Sequence, residues 1–190
     1  MDYRRKYSAL ASQPDAQQRL FGISFLEAMF VPVPSDFLLI PMSLLAPERA
    51  LRYAMVASAG SVCGALVGYA VGWAVFHLLV TVGLMPEWLV TFLAMFNMYS
   101  GIFLISAGFS SVPFNVVTFL SGASQVNILM FIGVGIVVRT IRYSLISWLI
   151  WRGGARYQEW LERNFYGTML VMTLALLVVS VIGVLFFATA

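Results

Sequence analysis

Glu27-Ala28-Met29-Phe30-Val31-Pro32-Val33-Pro34-Ser35-Asp36 is the stretch on which the fold turns. Two prolines and two carboxylates fall inside an apolar run that otherwise suits a membrane. Proline lacks an N–H and cannot continue a helix, and the residue before it is pushed toward extended geometry. Phe30 to Pro34 therefore reads as non-helical, with Pro32 and Pro34 as the break. Exposed to lipid, such backbone leaves peptide groups unpaired at several kcal/mol each, so it is tolerated only where protein buries it or it lines a wet cavity. The break predicts a cavity, with Glu27 on its upstream side and Asp36 on its downstream side.

Composition sets the class. With 61% hydrophobic and 10% charged residues and a mean hydropathy of +0.91, the chain is too apolar for a soluble domain and reads as an all-α integral membrane protein. The single Cys63 excludes an internal disulfide or a Cys-ligated metal site, and the single His77 makes no metal site alone. His77 reads as an interfacial helix-end residue. No metal-ligand cluster, nucleophile elbow or phosphate loop is present, which argues against an enzyme, and no cofactor is expected. Residues 1–20 hold Arg4, Arg5, Lys6, Asp15 and Arg19 without the apolar core of a cleavable signal. They read as an amphipathic segment lying on the membrane surface.

Residues 21–80 form a first unit. Phe21 to Ala46 is apolar but split by the prolines into two arms of about 11 and 12 residues, each reaching ~17 Å, half of a ~30 Å hydrocarbon core. A re-entrant hairpin fits these lengths. After the polar Pro47-Glu48-Arg49, a long helix is expected from Ala50 to Leu79. Its Gly60, Gly64, Gly68 and Gly72 recur every four residues along one stripe, which lets another helix approach backbone to backbone. Tyr69 stands beside that stripe.

Residues 81–98 read as an external connection, an exposed turn around Gly83, Pro86 and Glu87 followed by a short interfacial helix. Residues 99–151 then repeat the opening pattern. Tyr99 to Ser111 is apolar, Val112-Pro113-Phe114-Asn115 breaks it at Pro113, and Val116 to Ala123 completes a second half-length pair. A spanning helix from Asn127 to Trp151 follows and contains Arg139 and Arg142. Residues 152–164, with Tyr157 and Trp160, suit the interface, and 165–190 hold a last spanning helix.

Sliding the second unit back by 79 positions places Pro113 on Pro34, Asn115 on Asp36, Arg139 on Gly60, Arg142 on Cys63 and Trp148 on Tyr69. Hairpin plus spanning helix is thus written twice. Because the first unit crosses once, the second starts from the opposite face and is inverted, the architecture of secondary transporters. With both hairpins re-entrant, Arg4, Arg5, Lys6, Arg19, Arg49, Arg52, Arg152, Arg156 and Arg163 share one face. The excess of positive charge on cytoplasmic loops then makes the N-terminus cytoplasmic and the C-terminus external.

Glu27, Asp36, Arg139 and Arg142 remain within the membrane, each at about 2.5 to 3.5 kcal/mol near its centre, so they need partners or water. Arg139 and Arg142 share a helix face. One reading is a structural salt-bridge set that joins the units. The other is an ion pathway in which the arginines hold a phosphate and a carboxylate carries a proton. Ser35 and Asp36 would open a half-helix whose N-terminus presents N–H groups to an anion.

These residues resemble the DedA family. The resemblance rests on Glu27 with Val31-Pro32-Val33-Pro34-Ser35-Asp36, on Gly64, Gly68, Tyr69 and Gly72, on Gly108-Phe109 followed by Pro113, and on Arg139-x2-Arg142-Tyr143. The YqaA-like branch is most similar, at Leu39-Ile40-Pro41-Met42 and Pro47-Glu48-Arg49-Ala50, and the likeness runs from Phe25 to Trp151. It implies a bacterial inner-membrane protein of the VTT (SNARE-associated Golgi) superfamily, whose members are lipid translocases or scramblases. Among them are flippases for undecaprenyl phosphate and for phosphatidylethanolamine, with proton coupling proposed. By motif, Glu27 and Asp36 are the proton-coupling acids and Arg139 and Arg142 the basic pair; Ser35, at the half-helix N-terminus, and Asn115, after the second break, read as further substrate-binding positions. Asn115 stands where relatives place Arg or Lys, and Phe109 where broader members place Arg. The expected partners are phosphate-bearing membrane lipids and a second copy of the chain, and nucleic acid is not among them. A transporter of a small soluble solute and a scaffold docking through the glycine stripe are the alternatives.

Overall fold

The computed structural model describes residues 15–29, 34–109 and 113–153. All regular structure among them is helical. The order is α1 (Ala16–Met29), α2 (Asp36–Leu45), a 3-10 turn (Pro47–Arg49), α3 (Ala50–Thr81), α4 (Glu87–Met98), α5 (Ser100–Phe109), α6 (Phe114–Ala123) and α7 (Ile128–Gly153). The surface segment expected over residues 1–20, apart from its last six residues, lies outside the described residues. So do Pro32 and both hairpin tips, the interfacial segment from residue 154 onward and the last spanning helix.

Short helix, break, short helix, long helix occurs twice in this order. α3 and α7 are long and apolar enough to cross a membrane, and α4 with α5 makes a third crossing if the two, bent by 74° at Tyr99, count as one span. The 32 residues of α3 rise about 48 Å, well over the hydrocarbon core, whereas α2 and α6, at 10 residues each, reach only about 15 Å. Both long helices lie within two residues of the bounds expected from sequence. Pro41 sits inside α2 without ending it, while Pro34 and Pro113 stand in non-helical backbone just ahead of α2 and α6.

α3 is the element the others pack on. Its first half takes α1 and its second half takes α6. Gly60 and Gly64 lie beneath the backbone of Phe21 and Phe25, and Gly72 beneath that of Phe119, so close that a Cβ would collide with the neighbouring chain. The contact with α6 is mutual, because Gly122 lies equally close beneath the Tyr69 backbone. Gly68 faces the Thr118 side chain, whose Oγ1 donates to the Ala28 carbonyl at 3.1 Å and ties α6 to α1. The Tyr69 hydroxyl donates to the Val126 carbonyl at 2.6 Å, just ahead of α7. Without a hydrophobic force between helices in lipid, this close approach is what holds them together.

Two apolar clusters flank these contacts. One joins Leu20, Leu38, Leu39, Met42, Tyr53, Ala57 and Tyr143 from α1, α2, α3 and α7. The other joins Ala28, Ala65, Leu104, Phe114, Val126 and Phe131 around α6. Large apolar side chains such as Leu51, Met55, Leu129, Val137 and Leu145 point outward, as expected of surfaces that meet acyl chains. His77 lies exposed near the end of α3, its ring tilted against that of Trp73 with centroids 4.2 Å apart.

Candidate functional site: a buried arginine and carboxylate cluster

Arg139, Arg142 and Tyr143 fall at i, i+3 and i+4 on α7, so helical spacing puts them on one face. That face meets α1, α2 and the start of α6. Arg139 is fully buried. Its Nη1 donates to Glu27 Oε1 at 3.4 Å and to Tyr143 Oη at 3.1 Å. Its guanidinium lies 3.8 Å from the centroid of the Phe114 ring, in the first turn of α6, a separation at which the ring quadrupole attracts the cation.

One turn further along α7, Arg142 Nη2 donates to Asp36 Oδ2 at 2.7 Å, with side-chain exposures of 17% and 2%. Asp36 occupies the first turn of α2, where the positive end of the helix dipole favours an anion. Glu27, near the end of α1, uses both oxygens: while Oε1 faces Arg139, Oε2 accepts the Ser35 N–H at 2.8 Å. Ser35 Oγ lies 2.8 Å from Tyr143 Oη, both residues being fully buried. Four helices therefore converge on two ion pairs.

Pairing in low dielectric offsets part of the desolvation of each charge, and only when the geometry is close and the remaining valences are met. Here they are not all met. Arg139 Nε and Nη2 and Asp36 Oδ1 are buried without a hydrogen-bond partner among the described residues. Nε and Nη2 form the edge of the guanidinium that grips two oxygens of a carboxylate or phosphate side by side. That edge therefore carries the donor geometry an oxyanion would need.

Glu27, Ser35, Asp36, Arg139 and Arg142, singled out from sequence, are thus brought together. Asn115 is turned to its own backbone, its Oδ1 accepting the Val116 N–H at 2.9 Å. The residue α6 lays on Arg139 is Phe114. Gly60, Gly64, Gly68, Gly72 and Tyr69 sit in the helix contacts of α3, away from these charges. Sequence reasoning gave Tyr143 and Phe114 no role, although the signal for each was present. Tyr143 is one helical turn from Arg139, and Phe114 stands at the position that the 79-residue offset pairs with Ser35. Among the described residues, no three His, Cys, Asp or Glu side chains converge as metal ligands would.

The fold and site define a helical membrane protein built around a buried arginine and carboxylate cluster. No family model matches the chain. It is 31% identical over 147 residues to an uncharacterized protein of Haemophilus influenzae, the match covering 75% of this chain and 76% of that protein. It is 30% identical over 146 residues to an uncharacterized protein of Histophilus somni, with 75% of this chain and 76% of the relative covered. The chain belongs to the family of these proteins. No solved structure matches it.

Proposed function

We propose that this protein is a DedA-type translocase that moves a phosphate-bearing lipid between leaflets of a bacterial inner membrane, coupled to protons. The observation that carries this reading is the bidentate edge of Arg139, buried and without a partner among the described residues, beside two carboxylates on helices too short to cross. An intramembrane arginine in such a setting marks a substrate or ion path by default. A scaffold has no need of it, and the glycine stripe through which a scaffold would dock is filled by α1 and α6.

In this reading the pairs α1/α2 and α5/α6 are re-entrant hairpins, and the second unit is inverted relative to the first. A phosphate arriving at the arginines competes with Asp36 for Arg142. Asp36, losing its counter-charge, takes up a proton, and release of the phosphate reverses the exchange. Lipid and proton then move by competition for one basic pair.

Reconstitution with fluorescent phosphate-bearing lipids and a soluble-dye control, with and without a pH gradient, tests the reading. Wild-type protein is expected to move lipid but not dye, Asp36→Asn to lose dependence on the gradient while retaining binding, and Arg142→Ala to lose binding. Dye movement alone would favour a soluble solute. For topology, in a Cys63→Ala background, a cysteine at Glu48 is expected to react only from the cytoplasm and one at Glu87 only from outside. Reaction at position 48 from outside would sink the re-entrant arrangement.

A further inference from the structure

Tyr143 is not one of the charged residues, yet its hydroxyl stands where their hydrogen bonds meet. Arg139 Nη1 donates into Tyr143 Oη at 3.1 Å, which leaves the hydroxyl's own proton to go to Ser35 Oγ, 2.8 Å away. Ser35 in turn gives its N–H to Glu27 Oε2, and Glu27 Oε1 accepts from the same Arg139 Nη1. The result is a closed ring running from α7 through α2 and α1 and back to α7. The tyrosine is fully buried, in the apolar cluster that also holds Leu20, Leu39 and Met42. Its hydroxyl therefore has a fixed position from which to hold others.

Two consequences follow from that geometry. Nη1 is occupied twice, by Tyr143 and Glu27, so the guanidinium cannot rotate without breaking both bonds, and its Nε and Nη2 edge keeps one orientation. The Phe114 ring lies against the guanidinium, its centroid 3.8 Å from Arg139 Cζ. In addition, Ser35 immediately precedes α2 and its carbonyl accepts from Leu38 and Leu39. Any displacement of the α2 start pulls on Tyr143 and, through it, on Arg139.

We propose that Tyr143 is a positioning residue: its hydroxyl fixes the orientation of the Arg139 guanidinium and links it to the start of α2. It does not itself touch substrate. For orientation alone the inference is independent of the function proposed above, and only its transport consequence rests on that reading. A group held in orientation before binding costs its ligand less to engage, so loss of the hydroxyl is expected to weaken binding rather than slow turnover.

Tyr143→Phe keeps the packed ring and removes only the hydroxyl. The first measurement is modification of Arg139 by phenylglyoxal in purified protein, followed by peptide mass. It is expected to run about tenfold faster in Tyr143→Phe, in line with loss of a hydrogen bond from a charged donor. Ser35→Ala, which keeps the bond from Arg139 to Tyr143, is expected to give a smaller increase, and it keeps the inference testable if the tyrosine variant folds poorly. The second measurement is transfer of NBD-labelled phosphatidic acid across phosphatidylcholine vesicles, where KM should rise about tenfold with kcat within about twofold. A purely structural tyrosine would lower the amount of active protein and leave KM alone. Arg139 modification at the wild-type rate would overturn the inference, as would an unchanged KM in vesicles where wild-type protein transports. A wild-type protein that moves no labelled lipid would count against the proposed function, and the modification rates would still decide the role of Tyr143.

Discussion

The two long helices α3 and α7 occupy corresponding places in the order of elements, and the stripe they share by the 79-residue offset is used in opposite ways. On α3 the stripe is Gly60, Gly64, Gly68 and Gly72, each pressed against a neighbouring helix. The corresponding positions on α7 are Arg139, Tyr143, Ser147 and Trp151. The first three are buried, as the glycines are, but they fill their space with polar and charged side chains. A helix that must accept partners on two sides within lipid gives up its side chains for close approach. The other helix then has room for function. The same division separates the short pairs: α2 opens on Ser35 and Asp36, which make polar contacts to Tyr143 and Arg142 of α7, whereas α6 opens on Phe114, which offers a π face to Arg139 of the same helix.

The sharpest way to break this comparison is to exchange the roles of the stripes. Gly64→Leu drives a side chain into the Phe25 backbone, where the neighbour has no flexible end to yield. Overpacking typically costs about 1–3 kcal/mol, and more where backbone must shift. Little folded protein is expected, read as recovery after detergent extraction and by thermal unfolding. Gly133→Ala on α7, where a Cβ meets nothing within 4 Å, is expected to be neutral or to stabilise by up to about 1 kcal/mol through helix propensity. Equal behaviour of the two variants would mean that the α3 stripe is not tightly packed.

An effect of comparable size is expected where charge replaces packing. Asp36→Asn alone leaves Arg142 without its closest anion, and breaking a buried pair from one side costs about 3–5 kcal/mol. Asp36→Asn with Arg142→Gln removes both charges and is expected to cost clearly less than the sum of the single changes. A double-mutant cycle on unfolding free energies measures the coupling. Additivity would show the pair to be energetically idle. Phe114→Leu keeps an apolar contact with Arg139 but loses the ring face, and is expected to cost about 1–2 kcal/mol.

Much of this was legible in the sequence, because membrane insertion punishes misplaced groups severely. The proline breaks located the short helices, hydropathy located α3 and α7, and the rarity of charge in apolar segments singled out Glu27, Asp36, Arg139 and Arg142 before any geometry was known. What sequence left unread depends on distance in space. Tyr143 and Phe114 are ordinary membrane residues by composition. Their parts in the cluster follow from the packing of α7 against α2 and α6, which no local rule encodes. Asn115 shows the converse. A motif position drew attention to it, yet its side-chain oxygen accepts the adjacent Val116 N–H.

The smallest effect is expected at the start of α1, and it sharpens the comparison because the contact geometry is nearly the same as in the buried pair. Arg19 Nε donates to Asp15 Oδ2 at 2.8 Å, against 2.7 Å for Arg142 and Asp36. Asp15 and Arg19 are both exposed, with side-chain exposures of 44% and 43%, so water and salt screen their attraction and the median surface pair contributes little. The hydrogen bond from Arg19 holds the Asp15 carboxyl below its ordinary value of 3.8. A carboxyl lowered in the folded state favours folding above its unfolded pKa, and that contribution disappears as pH falls through the folded value. The sign is therefore fixed, toward lower stability in acid, while screening by solvent keeps the size small. Asp15→Asn is expected to leave the melting temperature at neutral pH unchanged within error, in low salt and in about 1 M salt alike. Asp36→Asn should lower it in both. If instead Asp15→Asn destabilises as strongly as Asp36→Asn, burial is not what separates the two pairs, and α1 is anchored through its first turn.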